Sequence, residues 1–252
     1  MNRFLAALQF LTTIPVPWRR EVGPEELGRS VGYFPVVGLI IGLILAGLNW
    51  LFGLILPSAV ANALLLVSLV LISGALHLDG FVDTCDGLAG HKPVEDRWQV
   101  MHDSRAGAFG IVGVVLLLLV KYVALNSIPE PWLITALVLM PVVSRWAMAY
   151  AIFTYPYARP SGLGKAFKQG TSWPRFTMAT LIAFMVVLIL ALLAGLAIIF
   201  LMFFIWVITL AMATYLKSKF SGLTGDNYGA INEVAEVSVL IFIDLLVRLS
   251  LA

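Results

Sequence analysis

Long apolar runs alternate with polar loops along most of the chain. The apolar runs are residues 33–56, 59–78, 107–128, 132–155, 176–215 and 226–252. A helix needs about 20 predominantly apolar residues to cross a bilayer, so the run 176–215 is long enough for two helices and is divided near Gly195. The pattern therefore predicts an all-α, polytopic membrane helix bundle with about seven transmembrane helices.

The N-terminal residues 1–32 differ from these runs, because a short amphipathic piece is followed by polar residues. Such a segment is typical of a chain that lies on the membrane surface. The apolar stretch within it lacks a small-residue cleavage site and ends in Pro15 and Pro17, so we expect no cleavable signal peptide. With no internal repeat and no soluble segment in view, residues 1–252 are interpreted as one integral-membrane domain.

The composition supports a membrane protein. Hydrophobic residues make up 61% of the chain and charged residues 12%, and the mean hydropathy is +0.98. Soluble domains contain about 45–50% apolar and about 25% charged residues. We therefore expect a lipid bilayer, and no nucleic acid, as a partner, while the sequence leaves open whether the chain forms a homo-oligomer. The single cysteine, Cys85, excludes an internal disulfide.

Loops that contain lysine and arginine alternate along the chain with turns that lack both, and this pattern predicts an orientation. Lysine and arginine are absent from the turns at 57–58, 128–131 and near 195. The basic loop residues are Arg3, Arg19, Arg20, Arg29, Lys92, Arg97, Arg105, Arg159, Lys165, Lys168, Arg175, Lys217 and Lys219. Cytoplasmic loops carry an excess of basic residues, so the N-terminus is expected in the cytoplasm and the C-terminus outside. All three long polar loops then face the cytoplasm and can contribute to one site.

The first of these loops begins with three regularly spaced carboxylates, in the segment HLDGFVDTCDGLAG. Asp79, Asp83 and Asp86 are four and three residues apart, a spacing that places them on one face of a helix. Three like charges on one face repel one another, and a divalent cation would remove the repulsion. Oxygen ligands favour Mg²⁺ or Mn²⁺. The alternative is a solvated helix end at the membrane surface.

Two loops combine cations with glycines. In YARPSGLGK, Arg159 and Lys165 flank Gly162 and Gly164, an arrangement suited to phosphate oxygens because backbone N–H groups can assist the charged side chains. A basic cytoplasmic loop would explain the charges equally well, but not the glycines. In the first loop, DSRAGAFG adds Asp103, a candidate metal ligand or base. It also adds Arg105, a candidate phosphate ligand.

Several charged residues lie inside apolar runs, where such residues usually face the bundle interior and have partners. Glu233 and Glu236 follow Asp226 near one helical face. Arg145, in the middle of a span, could hold a phosphate or pair with a buried carboxylate, and both alternatives remain open. Lys121 is interpreted as structural.

The remaining polar residues receive simpler interpretations. Asp244 and Arg248, four residues apart near the end of the chain, are interpreted as a structural ion pair. His77 and His102 adjoin the aspartate segment, and each could either orient a carboxylate or act directly.

Four sequence blocks together resemble the adenosylcobinamide-GDP ribazoletransferase family, also called cobalamin synthases. The blocks are HLDGFVDTCDGLAG, DSRAGAFG, YARPSGLG and GLTGDNYGAINEVAE, in the order of the family, and FLTTIPVPW near the N-terminus also fits. The resemblance implies a Mg²⁺-dependent phosphotransferase of the bacterial inner membrane, with a cytoplasmic active site. It would transfer the adenosylcobinamide-phosphate moiety of adenosylcobinamide-GDP to α-ribazole, or to α-ribazole 5′-phosphate, and release GMP.

This reaction is a phosphoryl transfer, which needs metal, phosphate ligands and a group that orients or deprotonates the hydroxyl. Asp79, Asp83 and Asp86 are the predicted Mg²⁺ ligands. The predicted phosphate-binding residues are Arg105, Arg159, Lys165, Gly162, Gly164 and Arg145. Asp103 is the predicted base, and Glu233 is the second candidate.

Two other functions remain as alternatives. The segment from Asp83 to Gly87 is similar to the opening of the CDP-alcohol phosphotransferase motif, but the rest of that motif is missing, which weakens a lipid head-group transferase. A cation transporter would use Glu233 and Glu236 but would leave the glycine-rich basic loops unexplained.

Overall fold

The computed structural model describes residues 3–16 and 23–250, except the side chain of Ser250. Arg19 and Arg20, two of the basic residues used to predict the orientation, lie outside these ranges. Within the described ranges the α-helices are α1 (Arg3–Leu11), α2 (Pro24–Gly28), α3 (Phe34–Gly53), α4 (Ser58–Ser73), α5 (Leu76–Leu88), α6 (Val94–His102), α7 (Ala108–Ser127), α8 (Glu130–Thr154), α9 (Leu163–Gly170), α10 (Trp173–Ala194), α11 (Phe200–Phe220) and α12 (Gly225–Ser250). The described residues form no strand beyond one isolated bridge, so the predicted all-α bundle is confirmed.

The structure does not confirm the predicted number of spans. Among the described residues, five helices are long and apolar enough to cross a membrane: α3, α7, α8, α10 and α11, where α3 and α11 include a preceding 3₁₀ turn. The pair α4 and α5 adds a sixth if it counts as one bent span. Helix α12 has 26 residues and is long enough to cross a membrane, but it contains too many charged residues to count as apolar. The predicted count of seven is therefore not confirmed.

The second predicted span, 59–78, is wrong at its C-terminal end. Helix α4 stops at Ser73 because Gly74 and Ala75 both adopt the left-handed conformation, with φ of 61° and 57°. Two consecutive residues of this kind end a helix, and the non-glycine one is uncommon. Helix α5 then starts at a 90° angle to α4. The aspartates therefore lie on a short helix of their own, and not in a loop.

The core of the bundle is built around α8. In the most apolar stretch of this helix, 89% of the residues are buried. Helices α3 and α12 pack along it. Glycines allow the close approach of α3. A Cβ atom on Gly38 would lie 2.2 Å from the carbonyl oxygen of Pro141, and one on Gly42 would lie 2.7 Å from the Cα of Val138. Small residues at such crossings are typical of helix packing in membranes.

The same device holds α5 against α12. A Cβ atom on Gly80 would lie 2.8 Å from the carbonyl oxygen of Asp226, and one on Gly229 would lie 3.1 Å from the carbonyl oxygen of His77. A hydrogen bond of 3.0 Å from Asn227 Nδ2 to Thr84 Oγ1 adds to this contact. The packing brings the aspartate helix beside the start of α12.

Candidate active site

A cavity of about 270 Å³ lies where α5, α8, α9 and α12 meet the N-terminal helix α1. Its polar lining residues are His77, Asp79, Tyr157, Arg159, Asp226 and Tyr228. Asp79, Arg159 and Asp226 come from the three different polar segments of the chain. The segments therefore meet at one place, as their shared charge pattern predicts.

A short backbone pairing joins the second and third segments. The N–H of Leu223 donates to the carbonyl of Pro156, and the N–H of Ala158 donates to the carbonyl of Leu223, both at 2.9 Å. Gly222, with φ of 142°, permits this approach, because a Cβ atom there would lie 2.9 Å from the Cα of Ala158. The pairing carries the next residue, Arg159, to the start of α12.

Arg159 faces Asp226 at 3.0 Å between Nη2 and Oδ2, and 11% of the Arg159 side chain is exposed. The contact does not have hydrogen-bond geometry. Within the described ranges the Nε and Nη2 atoms of Arg159 have no hydrogen-bond partner. A guanidinium of this kind can donate to an anionic ligand while Asp226 holds it in place.

The start of α12 is fixed by a reciprocal cap between Thr224 and Asn227. The N–H of Asn227 donates to Thr224 Oγ1 at 3.2 Å, and the N–H of Thr224 donates to Asn227 Oδ1 at 3.0 Å. This is a capping box with asparagine in the third helical position. It explains the local sequence TGDN and sets the position of Asp226, which lies within it.

Gly162 and Gly164 let the second loop close over Tyr157 at the cavity wall. A Cβ atom on Gly162, where φ is 120°, would lie 2.8 Å from Tyr157 Oη, and one on Gly164 would lie 2.5 Å from the ring. Both glycines line the cavity, as their predicted role requires. The predicted phosphate ligand Lys165 is not among the lining residues, and its Nζ donates to the carbonyl of Pro160 at 2.6 Å.

The three aspartates of α5 have different surroundings. Asp79 is exposed and lines the cavity. Asp83 is partly buried and close enough to Asp226 and Asp79 for their negative charges to act on it. Asp86 is buried, and its two oxygens accept the N–H groups of Gly107, at 2.7 Å, and Gly110, at 2.8 Å.

Asp86 therefore acts as a cap for α7 from outside that helix. The first N–H groups of a helix lack partners within it, and the positive end of the helix dipole favours a carboxylate. The fit is tight, because a Cβ atom on either Gly107 or Gly110 would lie 2.4 Å from an oxygen of Asp86. The predicted metal ligand is thus already used to join α5 to α7.

The described residues contain no group of three or more His, Cys, Asp or Glu side chains arranged to hold a metal ion by themselves. Mg²⁺ does not require such a cage, since it commonly binds one or two carboxylates and completes its coordination with water and substrate phosphates. Asp79 and Asp226 supply carboxylate donors of this type at the cavity, and Asp83 lies close enough to both for their charges to act on it. The donor set therefore fits Mg²⁺ bound together with a phosphorylated substrate.

Asp103 and Arg105, the predicted base and phosphate ligand, lie elsewhere. They line a separate cavity of about 640 Å³ and pair with each other, at 3.0 Å from Nε to Oδ1 and 2.8 Å from Nη2 to Oδ2. Hydrogen bonds from Arg105 lower the pKa of Asp103 to about 2. A carboxylate with so low a pKa is a weak proton acceptor.

Four charged residues of the apolar runs form one buried network. Lys121 Nζ donates to Glu233 Oε2 and to Glu236 Oε2, both at 2.5 Å. Arg145 Nη1 donates to Glu236 Oε1 and to Ser144 Oγ. Arg145 thus takes the second of its two alternatives, a buried carboxylate partner, and Lys121 is structural as predicted.

The network also explains the position of Glu233, which pairs with Lys121. Two carboxylates and two cations balance each other, which buried charges in a membrane require. Neither Glu233 nor Arg145 lines the cavity. The structure therefore does not bring the second candidate base, or this predicted phosphate ligand, to the place where Asp79, Arg159 and Asp226 meet.

Besides Arg159, two lining residues have polar atoms without hydrogen bonds to any described residue. They are His77, at both ring nitrogens, and Tyr228, at its hydroxyl, and each residue is 3% exposed. His77 was predicted to orient a carboxylate or to act directly, but it has no hydrogen bond to a carboxylate. Tyr228 was not predicted at all, and its position two residues after Asp226 in GDNYGAIN was the available signal. His102 is exposed and lines a neighbouring cavity with Arg159.

Comparison with known proteins gives full-length matches. A family model described as cobalamin-5-phosphate synthase matches residues 3–243. The chain is 40% identical to the adenosylcobinamide-GDP ribazoletransferase of Geotalea daltonii, over 95% of this chain and 96% of that protein. It is 38% identical to the protein of that name from Thermosynechococcus vestitus, over 95% of both chains. For the one from Roseiflexus sp. the identity is 36%, over 93% of this chain and 86% of the other. No solved structure matches the chain.

Proposed function

The chain belongs to the cobalamin-5-phosphate synthase family, and from this we propose that it is an adenosylcobinamide-GDP ribazoletransferase. A hydroxyl oxygen of α-ribazole, or of its 5′-phosphate, forms a bond to the phosphorus that carries the cobinamide. The bond from that phosphorus to the GMP oxygen breaks, and GMP leaves with the electron pair while the hydroxyl loses its proton. The product is a cobamide with a completed nucleotide loop, which is the assembly step of cobalamin biosynthesis.

The observation that best supports this function at the level of residues is the meeting of Asp79, Arg159 and Asp226 in one cavity. Arg159 donates its unpartnered N–H groups to phosphate oxygens of the donor substrate. Gly162 and Gly164 let the backbone approach those oxygens without steric hindrance. Both substrates then lie within reach of one set of charges.

We assign Mg²⁺ to the carboxylates in and beside this cavity, with Asp79, Asp83 and Asp226 as the ligands. When bound, the ion neutralises charge on the phosphates of the donor. Asp86 contributes indirectly, because its cap on α7 holds α5 in place. Arg159 supplies a further positive charge beside the phosphates.

Neither candidate base lies in the cavity, so the proposed mechanism relies on positioning and charge neutralisation. Bringing two reactants together in the correct orientation can contribute roughly 7–11 kcal/mol, and phosphoryl transfer depends largely on such effects. We therefore propose a single displacement, in which the acceptor attacks while the donor is held in line. This mechanism requires both substrates to be bound before GMP leaves.

The proposed location is the bacterial inner membrane, with the cavity open to the cytoplasm. The basic residues of all three polar segments support this orientation through the positive-inside rule.

The two alternative functions have less support. Glu233 and Glu236 are paired with Lys121 and Arg145, so they do not form the row of free carboxylates that a cation path would need. A lipid head-group transferase would share the metal chemistry, but the full-length family match favours the ribazole acceptor.

Membranes that contain the chain, supplied with adenosylcobinamide-GDP, α-ribazole and Mg²⁺, provide the test. We expect GMP and a cobamide in equal amounts, both abolished by EDTA and restored by excess Mg²⁺. Asp79→Asn should reduce turnover by about 100-fold or more, since one charged contact to the reacting groups is lost. Asp244→Asn is the matched control, because Asp244 pairs with Arg248 away from the cavity. Absence of GMP from the wild-type reaction would refute the function.

A further inference from the structure

One part of the cavity has a composition that suits one of the two substrates better than the other. This inner part is lined by Phe10, Phe34, His77, Met148, Ile152, Phe167 and Tyr228. On the basis of the proposed function, we infer that it binds the acceptor nucleoside. In this arrangement the aromatic wall holds the base, and His77 and Tyr228 hold hydroxyl groups of the ribose. The phosphates of the donor remain at Arg159.

The aromatic wall is formed by three phenylalanines from separate helices. The Phe167 ring lies 4.7 Å from that of Phe10 and 5.6 Å from that of Phe34, measured between centroids. Met148 and Ile152 of α8, both buried, complete an apolar lining. A flat apolar base can stack or pack edge-on against rings arranged in this way.

The polar groups of the inner part are few and unpaired. A neutral imidazole offers one N–H donor and one acceptor nitrogen, and a tyrosine hydroxyl offers both functions in one atom. A buried polar atom without a partner is costly. Each hydroxyl group of a ribose can both donate and accept, so such groups match the donors and acceptors of His77 and Tyr228 in type.

The chemistry of the nucleobase distinguishes guanosine, part of the donor, from α-ribazole as the ligand of this part of the cavity. Guanine, which belongs to the donor, has several hydrogen-bonding groups along its edges, and burying them against apolar side chains would leave them unsatisfied. A benzimidazole, the base of α-ribazole, has a single ring nitrogen outside its bond to the ribose and is otherwise apolar. The lining therefore favours the acceptor.

The size of the cavity excludes the corrin ring of the donor as its occupant. Its volume of about 270 Å³ lies just below the range of about 300–1,000 Å³ that is usual for drug-sized ligands. A nucleoside suits this volume, whereas a corrin ring does not. A ribose beside His77 would also be near the phosphates, because Asp79 and Arg159 line the same cavity.

Tyr228→Phe provides a direct test, since it removes one oxygen atom that makes no hydrogen bond to the described part of the fold. We expect the KM for α-ribazole to rise by about 2- to 10-fold, the effect of one lost hydrogen bond, while the KM for adenosylcobinamide-GDP stays unchanged. The control is Tyr155→Phe, because the Tyr155 hydroxyl lies 3.2 Å from the Leu210 carbonyl and 2.8 Å from Thr214 Oγ1, away from the cavity. It should leave both KM values unchanged.

His77→Phe, which keeps a ring of similar shape, should raise the same KM and not that of the donor. A rise in the KM for the donor, or no change of either KM in both variants, would overturn the acceptor site. Direct binding of α-ribazole to the purified protein without donor separates this inference from the function. If binding occurs and Tyr228→Phe weakens it, the site stands even when no GMP forms. If wild-type protein makes the cobamide but the variants bind α-ribazole normally, the function stands and the site is wrong.

Discussion

At the scale of the residue, Arg159 and Lys165 illustrate how similar charges in one loop acquire different roles. Arg159 lines the cavity with N–H groups that make no hydrogen bond to the described residues, whereas the Lys165 ammonium donates to the carbonyl of Pro160. Both residues were predicted to bind phosphate, because both flank Gly162 and Gly164. Only the path of the loop, set by its pairing with Leu223, separates them.

We expect Arg159→Gln to lower kcat/KM by about 100-fold or more, since a charged donor to the phosphates is lost. Lys165→Gln should lower it by less than about 5-fold, because an exposed cation at a distance contributes little. Steady-state GMP release from the two variants, expressed at equal levels, measures the contrast. Equal losses in both would show that the phosphates are not held in this cavity.

Asp103 gives a prediction about pH. Its pKa is lowered to about 2 by Arg105, so it stays ionised at any higher pH and cannot produce an acid limb near neutrality. Its pairing favours the folded state above the ordinary carboxyl pKa, and this contribution is lost only as the pH falls towards about 2.

Asp103→Asn should therefore leave the shape of the pH–rate profile unchanged between ~pH 5 and ~pH 9, with a loss of activity below about 10-fold. The profile of kcat/KM for wild type and variant provides the measurement. If an ionisation disappeared from the profile together with a loss of several orders of magnitude, Asp103 would be the base after all.

At the scale of the element, α5 shows what residue spacing can and cannot predict. The intervals between Asp79, Asp83 and Asp86 correctly indicate a helix with its carboxylates near one face. They do not indicate which neighbouring helix that face meets, so the use of Asp86 as a cap for α7 could not be foreseen. The break at Gly74 and Ala75 was missed because an apolar run does not show where two residues take the left-handed conformation.

The capping contact predicts a large effect from a small change. Gly110→Ala would place a Cβ atom 2.4 Å from Asp86 Oδ2, so we expect a loss of about 1–3 kcal/mol of stability from overpacking. Gly47→Ala on α3 is the control, since nothing lies within 4 Å of its added methyl group. Alanine there should be neutral or stabilise the helix by up to about 1 kcal/mol.

Thermal unfolding of the two purified variants in the same detergent compares these effects. Equal unfolding temperatures would mean that Asp86 does not press against the start of α7, and it would then be free to bind metal as the sequence suggests.

At the scale of the whole molecule, the loop charges predicted that three distant segments come together, and residues of all three line one cavity. The network of Lys121, Arg145, Glu233 and Glu236 was only partly foreseen. The sequence indicated that each charge needs a partner but left the phosphate alternative open for Arg145. Tertiary packing between α7, α8 and α12 decides that choice, and no local pattern records it.

The orientation in the membrane can be tested with two matched serine-to-cysteine variants. Ser104 lies between α6 and α7 and Ser58 at the start of α4, and both are exposed. In intact cells a membrane-impermeant maleimide should label Ser58→Cys and not Ser104→Cys, with the reverse result in inverted vesicles. The unmodified chain gives the background from Cys85. Labelling of Ser104→Cys from outside would reverse the orientation.

Transfer by sealed vesicles of the two orientations is the most direct test of a cytoplasmic transferase that acts by single displacement. Adenosylcobinamide-GDP, α-ribazole and Mg²⁺ are added outside, and GMP and cobamide are measured with and without the acceptor. We expect equal amounts of both products from inverted vesicles and none from right-side-out vesicles. In the absence of α-ribazole we expect no GMP. GMP formed without acceptor in amounts equal to the enzyme would contradict the single displacement. Product from right-side-out vesicles alone, or from neither preparation, would contradict a cytoplasmic transferase built from these three segments.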